Sequence, residues 1–434
     1  MFKTLQNALR VKEIRERLFF TFLMLLVIRF GSQLPVPGTD PDYIKELFSG
    51  TNEDAFGFLS LVTGGSFEQF AILALGISPY ITSSIIMQLL TIAIPKLEEI
   101  QKEGSEGRKK IAEITRYVTV VLALIQATAM SIGFKGILVE YTWYNVLVCV
   151  VTLTAGSAFL MWIGERITEK GMGNGISVVL VINILSSLPD DVIKVYNTFL
   201  LGKSAAVQVL MLVFVVAIFA AIVAFAILLN GGERRIPVQY AQKVVGRRNM
   251  GGRSTYIPVK VNTAGVIPVI FASSIMSMPV MISQFFSINP SSVGSQILAV
   301  LNSGNWFRPA AMQYSIGAVI YMLLVIVFAY FYTSISFNPI EIANNMKKSG
   351  GFIPGIRPGK PTSDYLSNML NHVIIIGAIG LIIIAILPMV LTGLFNVGNL
   401  SLLGTSLLII VSVVLETLKT MEAKMVAREY DSIF

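Results

Sequence analysis

The residue types that carry most enzymatic chemistry are scarce in this chain. A single histidine, His372, and a single cysteine, Cys149, cannot build a multi-histidine metal site, a cysteine cluster or an intramolecular disulfide. Apart from Arg29, no Asp, Glu, Lys or Arg falls well inside an apolar stretch, which leaves little material for proton relays or intramembrane catalytic carboxylates. Gly104-x-x-Gly107-Arg108-Lys109 lacks phosphate-loop spacing, and Gly171-Met-Gly-Asn-Gly175 precedes an apolar span rather than a nucleotide-binding helix, so both read as turns. No catalytic residue, metal or cofactor is expected, and the chain reads as not an enzyme. What remains is the chemistry of branched apolar groups and hydroxyls. Gly76, Pro79, Thr82, Ser83, Ser84 and Gln88 punctuate one apolar stretch, and Asn262, Thr263, Pro268, Ser273, Ser274 and Ser277 punctuate another. In lipid such groups either glue helices together or mark a seam built to part, and the sequence leaves both open. Ile77 with Ile81, and Ile176 with Leu180, are four apart, so each pair shares a helix face one turn apart.

The elements that position these groups must be membrane helices. Of 434 residues, 54% are hydrophobic and only 13% charged, with a mean hydropathy of +0.73. A soluble domain carries about 25% charge, and a chain this apolar needs lipid to cover it. Charge-poor windows run over Leu18–Leu34, Gln69–Pro95, Tyr117–Phe134, Tyr141–Gly164, Gly171–Pro189, Ser204–Gly232, Ala264–Phe307, Pro309–Ile340 and His372–Leu415. At 1.5 Å per residue each window after the first is long enough to cross about 30 Å of hydrocarbon, with Gly171–Pro189 marginal. The window from Ala264 predicts one span ending near Phe286 and then a polar loop. The last window divides at Gly393, Asn396, Gly398 and Asn399 into two spans, for ten in all. The first window is followed by Pro-Val-Pro-Gly rather than a small-residue cleavage site, so it reads as a retained span.

Alternate connections divide the 33 cations 27 to 6. The cation-rich side, which includes both termini, is predicted to be the cytoplasm. Ten spans with a long basic loop after the fifth predict two five-helix halves of opposite orientation, an inverted repeat found in many transporters. The N-terminal half covers 1–190, with an amphipathic N-terminal helix and spans one to five. The C-terminal half covers 191–434, with large cytoplasmic loops at about 230–262 and 337–370. Between the first two spans, Ala55–Phe67 is too short and glycine-rich to cross, and reads either as an external loop or as a re-entrant segment lining a cavity. The two large loops hold Arg247-Arg248 and Ile356-Arg357-Pro358-Gly359. They exceed what topology alone requires and suit a cytoplasmic partner, an acidic protein or RNA.

In register along nearly the whole chain stand Ile28-Arg-Phe-Gly-Ser, Pro35-Val-Pro-Gly, Ala74-Leu-Gly-Ile-Ser-Pro-Tyr-Ile, Lys102-Glu-Gly-x-x-Gly-Arg-Lys and Gly164-Glu-x-Ile-Thr-Glu-x-Gly-x-Gly-Asn-Gly-Ile-Ser. Lys260-Val-Asn-x-Ala-Gly-Val-Ile-Pro, Phe337-Asn-Pro, Lys347-Lys-Ser-Gly and Pro354-Gly-Ile-Arg-Pro-Gly follow. With these the chain resembles the SecY family, the channel subunits of the bacterial Sec protein-translocation machinery. The resemblance implies an all-α membrane clamshell around an hourglass pore. It would carry unfolded secretory polypeptides across the bacterial cytoplasmic membrane and release membrane helices sideways into lipid. It implies a constriction ring of Ile77, Ile81, Ile176, Leu180, Ile270 and Ile409, with leucine at 180 where isoleucine is common. It implies a plug near 58–70, containing Leu61, Gly64, Gly65 and Phe67. The second and seventh spans would border a lateral gate at Thr82, Ser83, Gln88, Ser273 and Ser274. Arg247, Arg248 and Arg357 would face the motor ATPase SecA or a ribosome, and small subunits resembling SecE and SecG would complete a channel that binds signal sequences. The competing reading is an inverted-repeat secondary transporter of small solutes, against which the scarcity of buried charge counts.

Overall fold

In a computed structural model the structure describes residues 11–40, 43, 62–201, 204–240, 243–245, 248–250, 254–283, 292–395 and 405–431. Among the described residues, one apolar helix of twelve residues or more lies in each of the ten predicted spans. These helices are α1 (Lys12–Gly31), α2 (Ser78–Ala93), α3 (Ser105–Gly133), α4 (Trp143–Lys170), α5 (Gly175–Ser186), α6 (Ala205–Gly231), α7 (Ile267–Ser283), α8 (Ile316–Ser336), α9 (Lys360–Phe395) and α10 (Thr405–Asp431). The windows and helices coincide because an apolar run in lipid satisfies its backbone only by closing its own hydrogen bonds. α6 is apolar all round, with Val209, Leu210, Val213 and Leu228 exposed, as a helix facing hydrocarbon should be.

Two spans differ from expectation. Residues 69–77 are a chain of turns, and α2 starts only at Ser78, where Pro79 occupies the first turn. The N–H groups of Phe70, Ala71, Ala74 and Gly76 bond back to Phe67, Ser66, Ala71 and Leu73 carbonyls in short loops, that of Ile72 bonds to Leu34 O, and Phe70 and Gly76 take positive φ, which a continuous helix excludes. α2 then breaks at Ile94 and bends 106° into Pro95–Lys102, a short helix that leaves the span direction. The stretch read as a polar loop after α7 holds a nine-residue helix, Val293–Leu301, started by the Ser292 hydroxyl accepting from Ser295 N–H.

The helices pack in two groups of five. Leu153, Cys149 and Ala123 of α3 and α4 enclose Phe67, Phe70 and Leu75, while Ile28, Leu160, Ile163 and Leu180 join α1, α4 and α5. In the second group Ala226, Phe271, Tyr321, Leu381 and Leu408 bring α6 to α10 together. α10 packs on both α6 and α5, so it also links the groups. The motif Gly171–Gly175 explains itself here: a Cβ on Gly175 would lie 1.9 Å from the Gly164 carbonyl oxygen, so only glycine lets α5 cross α4 this closely. Asn174 caps α5 by accepting from Ile176 and Ser177 N–H.

The two large basic loops hold a small sheet that the sequence reading missed. β1 (Glu233–Tyr240) pairs antiparallel with β2 (Ser254–Lys260) and, at its end, with β3 (Gly351–Phe352) of the other loop. Short strands Lys243–Val245 and Arg248–Met250 extend the hairpin. Ile236 and Val238 alternate inward and pack with Val259, Ile353, Leu366, Leu370 and Val373, beneath α9.

Candidate functional site: a ring, a re-entrant strip and two basic loops

The six branched residues come from four helices. Ile77 caps α2 and accepts the Ile81 N–H at 3.1 Å, so the pair keeps helical spacing across the helix start. Ile77, Ile81, Ile176, Leu180 and Ile270 share one apolar cluster, and Ile270 and Ile409 share a neighbouring one with Ile184 and Val413. Ile77, Leu180 and Ile409 are 1%, 5% and 3% exposed, so the side chains close on each other rather than face lipid.

Beside this cluster lies the strip from Val62 to Gly76. Leu61 lies outside the described residues. Gly64 and Gly65 have φ of +64° and +79°, turning the chain sharply after the helical Val62 and Thr63. A Cβ on Gly64 would meet the Ser186 hydroxyl at 2.6 Å and the Asn183 backbone at 2.8 Å. Phe67 is 1% exposed and wedges between α3 and α4. Three side chains bind the strip's carbonyls. Asn183 Nδ2 donates to Val62 O at 2.8 Å, Ser186 Oγ to Gly64 O at 3.0 Å and Arg29 Nη1 to Gly64 O at 3.2 Å. The sequence offered only a faint sign of these contacts: one cation and two polar residues in otherwise apolar windows.

Of the hydroxyls expected along the seam, Ser83 is fully buried and donates to Thr115 O at 2.8 Å, joining α2 to α3 within its own group. Thr82 and Ser274 are half-buried. Gln88 Nε2 donates to Ser84 Oγ at 3.3 Å, while its Oε1 is buried without a partner. Ser273 lines a cavity of about 60 Å³ with Ser277, Trp306 and Tyr321 inside the second group. The close contact across the seam is apolar: Ile85, 6% exposed, packs with Ile81 into the second group's core beside Val269 and Met276.

On the basic loops, Arg247 lies outside the described residues and Arg248 begins the strand Arg248–Met250. Arg357 is exposed on a turn flanked by Gly355 and Gly359, with φ of +82° and +107°. Its carbonyl accepts the Thr362 hydroxyl at 2.8 Å, and the buried Ile353 anchors the turn. Arg235 lies 4.9 Å over the Tyr256 ring and donates to Glu233 at 2.7 Å, a bond that raises its pKa further. Arg116 donates to Glu165 at 2.6 Å and ties α3 to α4. Among the described residues no group of three His, Cys, Asp or Glu comes together as metal ligands would.

A family model for SecY matches residues 71–418. The chain belongs to the SecY family. Protein translocase subunit SecY of Halalkalibacterium halodurans is 41% identical over 99% of both chains, and that of Corynebacterium glutamicum 40% over 98% of both. The Thermus thermophilus subunit is 40% identical, covering 99% of this chain and 97% of the relative. The fold agrees with a solved protein-conducting channel at a TM-score of 0.67 and 18% identity, over 95% of this chain and 93% of that one. It also matches Sec61 from a canine ribosome–channel complex, at a TM-score of 0.62 and 16% identity over the same shares. SecY-family membership and these folds identify the ten helices as those of a membrane channel built as a two-part clamshell.

Proposed function

We propose that this chain is the channel-forming subunit of a protein translocase, which passes unfolded polypeptides across a membrane and releases apolar helices sideways into it. The observation that carries the reading is the meeting of Ile77, Ile81, Ile176, Leu180, Ile270 and Ile409, from four helices and both groups, in joined apolar clusters. We read these six as the constriction. A translocating chain presents every side-chain type in turn, so a specific pocket would stall it. A collar of branched apolar groups fits loosely around any of them, and when empty it gives water too few hydrogen bonds to stay wet. The strip containing Leu61, Gly64, Gly65 and Phe67 is read as the plug beside that collar.

The lateral gate is assigned to α2 and α7, with Thr82, Gln88 and Ser274 along the seam and Ser83 and Ser273 supporting it from behind. Its closure by Ile81 and Ile85 favours parting by an apolar signal helix, which can replace those contacts in kind. Arg247, Arg248 and Arg357 are assigned to a cytoplasmic partner. Solved structures of similar fold include channels bound to ribosomes, one of them yeast Ssh1 on the 80S ribosome, which supports a ribosome as one such partner. SecA, SecE, SecG, the bacterial cytoplasmic membrane, cytoplasmic termini and the absence of catalysis complete the reading. Translocase relatives at about 40% identity across the whole chain favour it over a small-solute carrier.

The test is cross-linking. Cysteines at Ile81, Ile270 and Ile409 should each capture an arrested, partly exported polypeptide, while one at the lipid-facing Val213 should not. Capture at Val213 equal to that at the ring would remove the constriction.

A further inference from the structure

We propose that Asn183, Ser186 and Arg29 form a hydrogen-bonded latch that holds the 62–64 strip closed and sets the channel's resting leak. The inference rests on the reading of that strip as a plug. Backbone that turns at membrane depth must find donors for its carbonyls, since lipid offers none. Val62 and Gly64 find theirs on side chains: Asn183 Nδ2 at 2.8 Å for Val62, and Ser186 Oγ at 3.0 Å with Arg29 Nη1 at 3.2 Å for Gly64. Asn183 and Val62 are 6% and 4% exposed, so this bond is shielded from water and costly to lose. Asn183 also lies three residues after Leu180, on the same face of α5, so one helix carries a ring residue and a latch residue one turn apart. Gly64 fits the latch because it has no side chain: any Cβ there would collide with Ser186 and Asn183.

The latch is polar where the rest of the seat is apolar. Phe67 and Phe70 fill a fixed hole between α3 and α4 and favour occupancy of the seat. The three hydrogen bonds can be exchanged for water once the strip begins to leave, so they add closed-state stability that is lost stepwise. The Arg29 bond is charge-assisted, and its second contact, Nη1 to Ser32 Oγ at 3.3 Å, keeps the guanidinium aimed at the strip. Raising the open population reduces what a signal sequence must supply to open the channel, so the latch also sets the stringency of selection.

The experiment uses the assembled channel, purified with its co-purifying subunits and reconstituted in planar bilayers. Four single changes (Asn183→Leu, Ser186→Ala, Arg29→Gln and a 58–70 deletion) are compared with each latch change on the deletion background. Asn183→Leu should raise resting conductance on the order of tenfold, and Ser186→Ala less, because Arg29 still serves Gly64. Both should increase export of a substrate with a weakened signal sequence, while export of a normal substrate is retained. On the deletion background the latch changes should add no leak. Tight latch variants beside a leaky deletion would overturn the latch and leave the plug reading standing. A tight deletion would overturn the plug reading and the latch together, while latch changes that add as much leak on the deletion background as on the intact strip would overturn the latch alone.

Discussion

Ile77, Ile81, Ile176, Leu180, Ile270 and Ile409 are held by neighbours of their own kind, and this decides what replacing them does. Because they close against each other at an intersection of helices, Ile81→Ser with Ile409→Asn should wet the collar while leaving ten helices folded. The expected outcome is a steady ion conductance in resting channels, absent when Val213 or Ile376, 62% and 61% exposed, receives the same change. Equal conductance from ring and control positions would sink the assignment. Gly64→Ala forces a side chain onto a backbone at φ +64° that already touches Ser186, a strain of about 1–3 kcal/mol. It should loosen the strip, detectable as faster modification of a cysteine at the buried Phe67. At this scale the sequence was legible where spacing alone spoke, as for Ile77 with Ile81. It was ambiguous for hydroxyls, because a serine that glues and a serine that lines a seam are the same residue. Ser83 is settled only by seeing its bond to Thr115.

Among elements, the membrane helices were legible and the sheet in the basic loops was not, for one physical reason. Lipid imposes a run of about twenty mostly apolar residues on a typical span, a signal far stronger than that of a short exposed strand. Glu233–Tyr240 has only Ile236 and Val238 alternating inward, flanked by charge and holding Pro237, so it reads as loop. Pro237 is tolerated because β3 reaches only Gln239 and Tyr240, leaving β1 an edge strand at the proline. Val238 is fully buried, so Val238→Asp should place an unpaired carboxylate in the sheet's core. The hairpin should then become protease-sensitive while the membrane helices stay protected, and a hairpin of unchanged resistance would contradict the packing described. Arg357→Glu leaves that core untouched, because the side chain is exposed on a rigid turn. It should impair export and stimulation of a motor ATPase with membrane insertion intact, and normal stimulation would count against a partner contact there.

For the whole molecule, the 27-to-6 division of cations predicts which end of each helix meets the cytoplasm. A cysteine at Arg357 should react with an impermeant thiol reagent only from the cytoplasmic side, and one at the exposed Ser303 only from outside. Labelling of Ser303 from within would overturn the topology. The division into two groups of five was foreseen from the alternation, whereas the contact of α10 with both groups was not, since nothing in a single span announces its neighbours. That sheet has a mechanical consequence. β1 and β2 belong to the α6–α7 connection and β3 to the α8–α9 connection, and β1, β2 and Ile353 just after β3 pack with Leu366, Leu370 and Val373 of α9. A load applied at the hairpin tip therefore meets a cantilever fastened at two roots. Such a load is not carried by the α6–α7 connection alone; it is shared with the α8–α9 connection and reaches α9, the longest helix described, through Leu366, Leu370 and Val373.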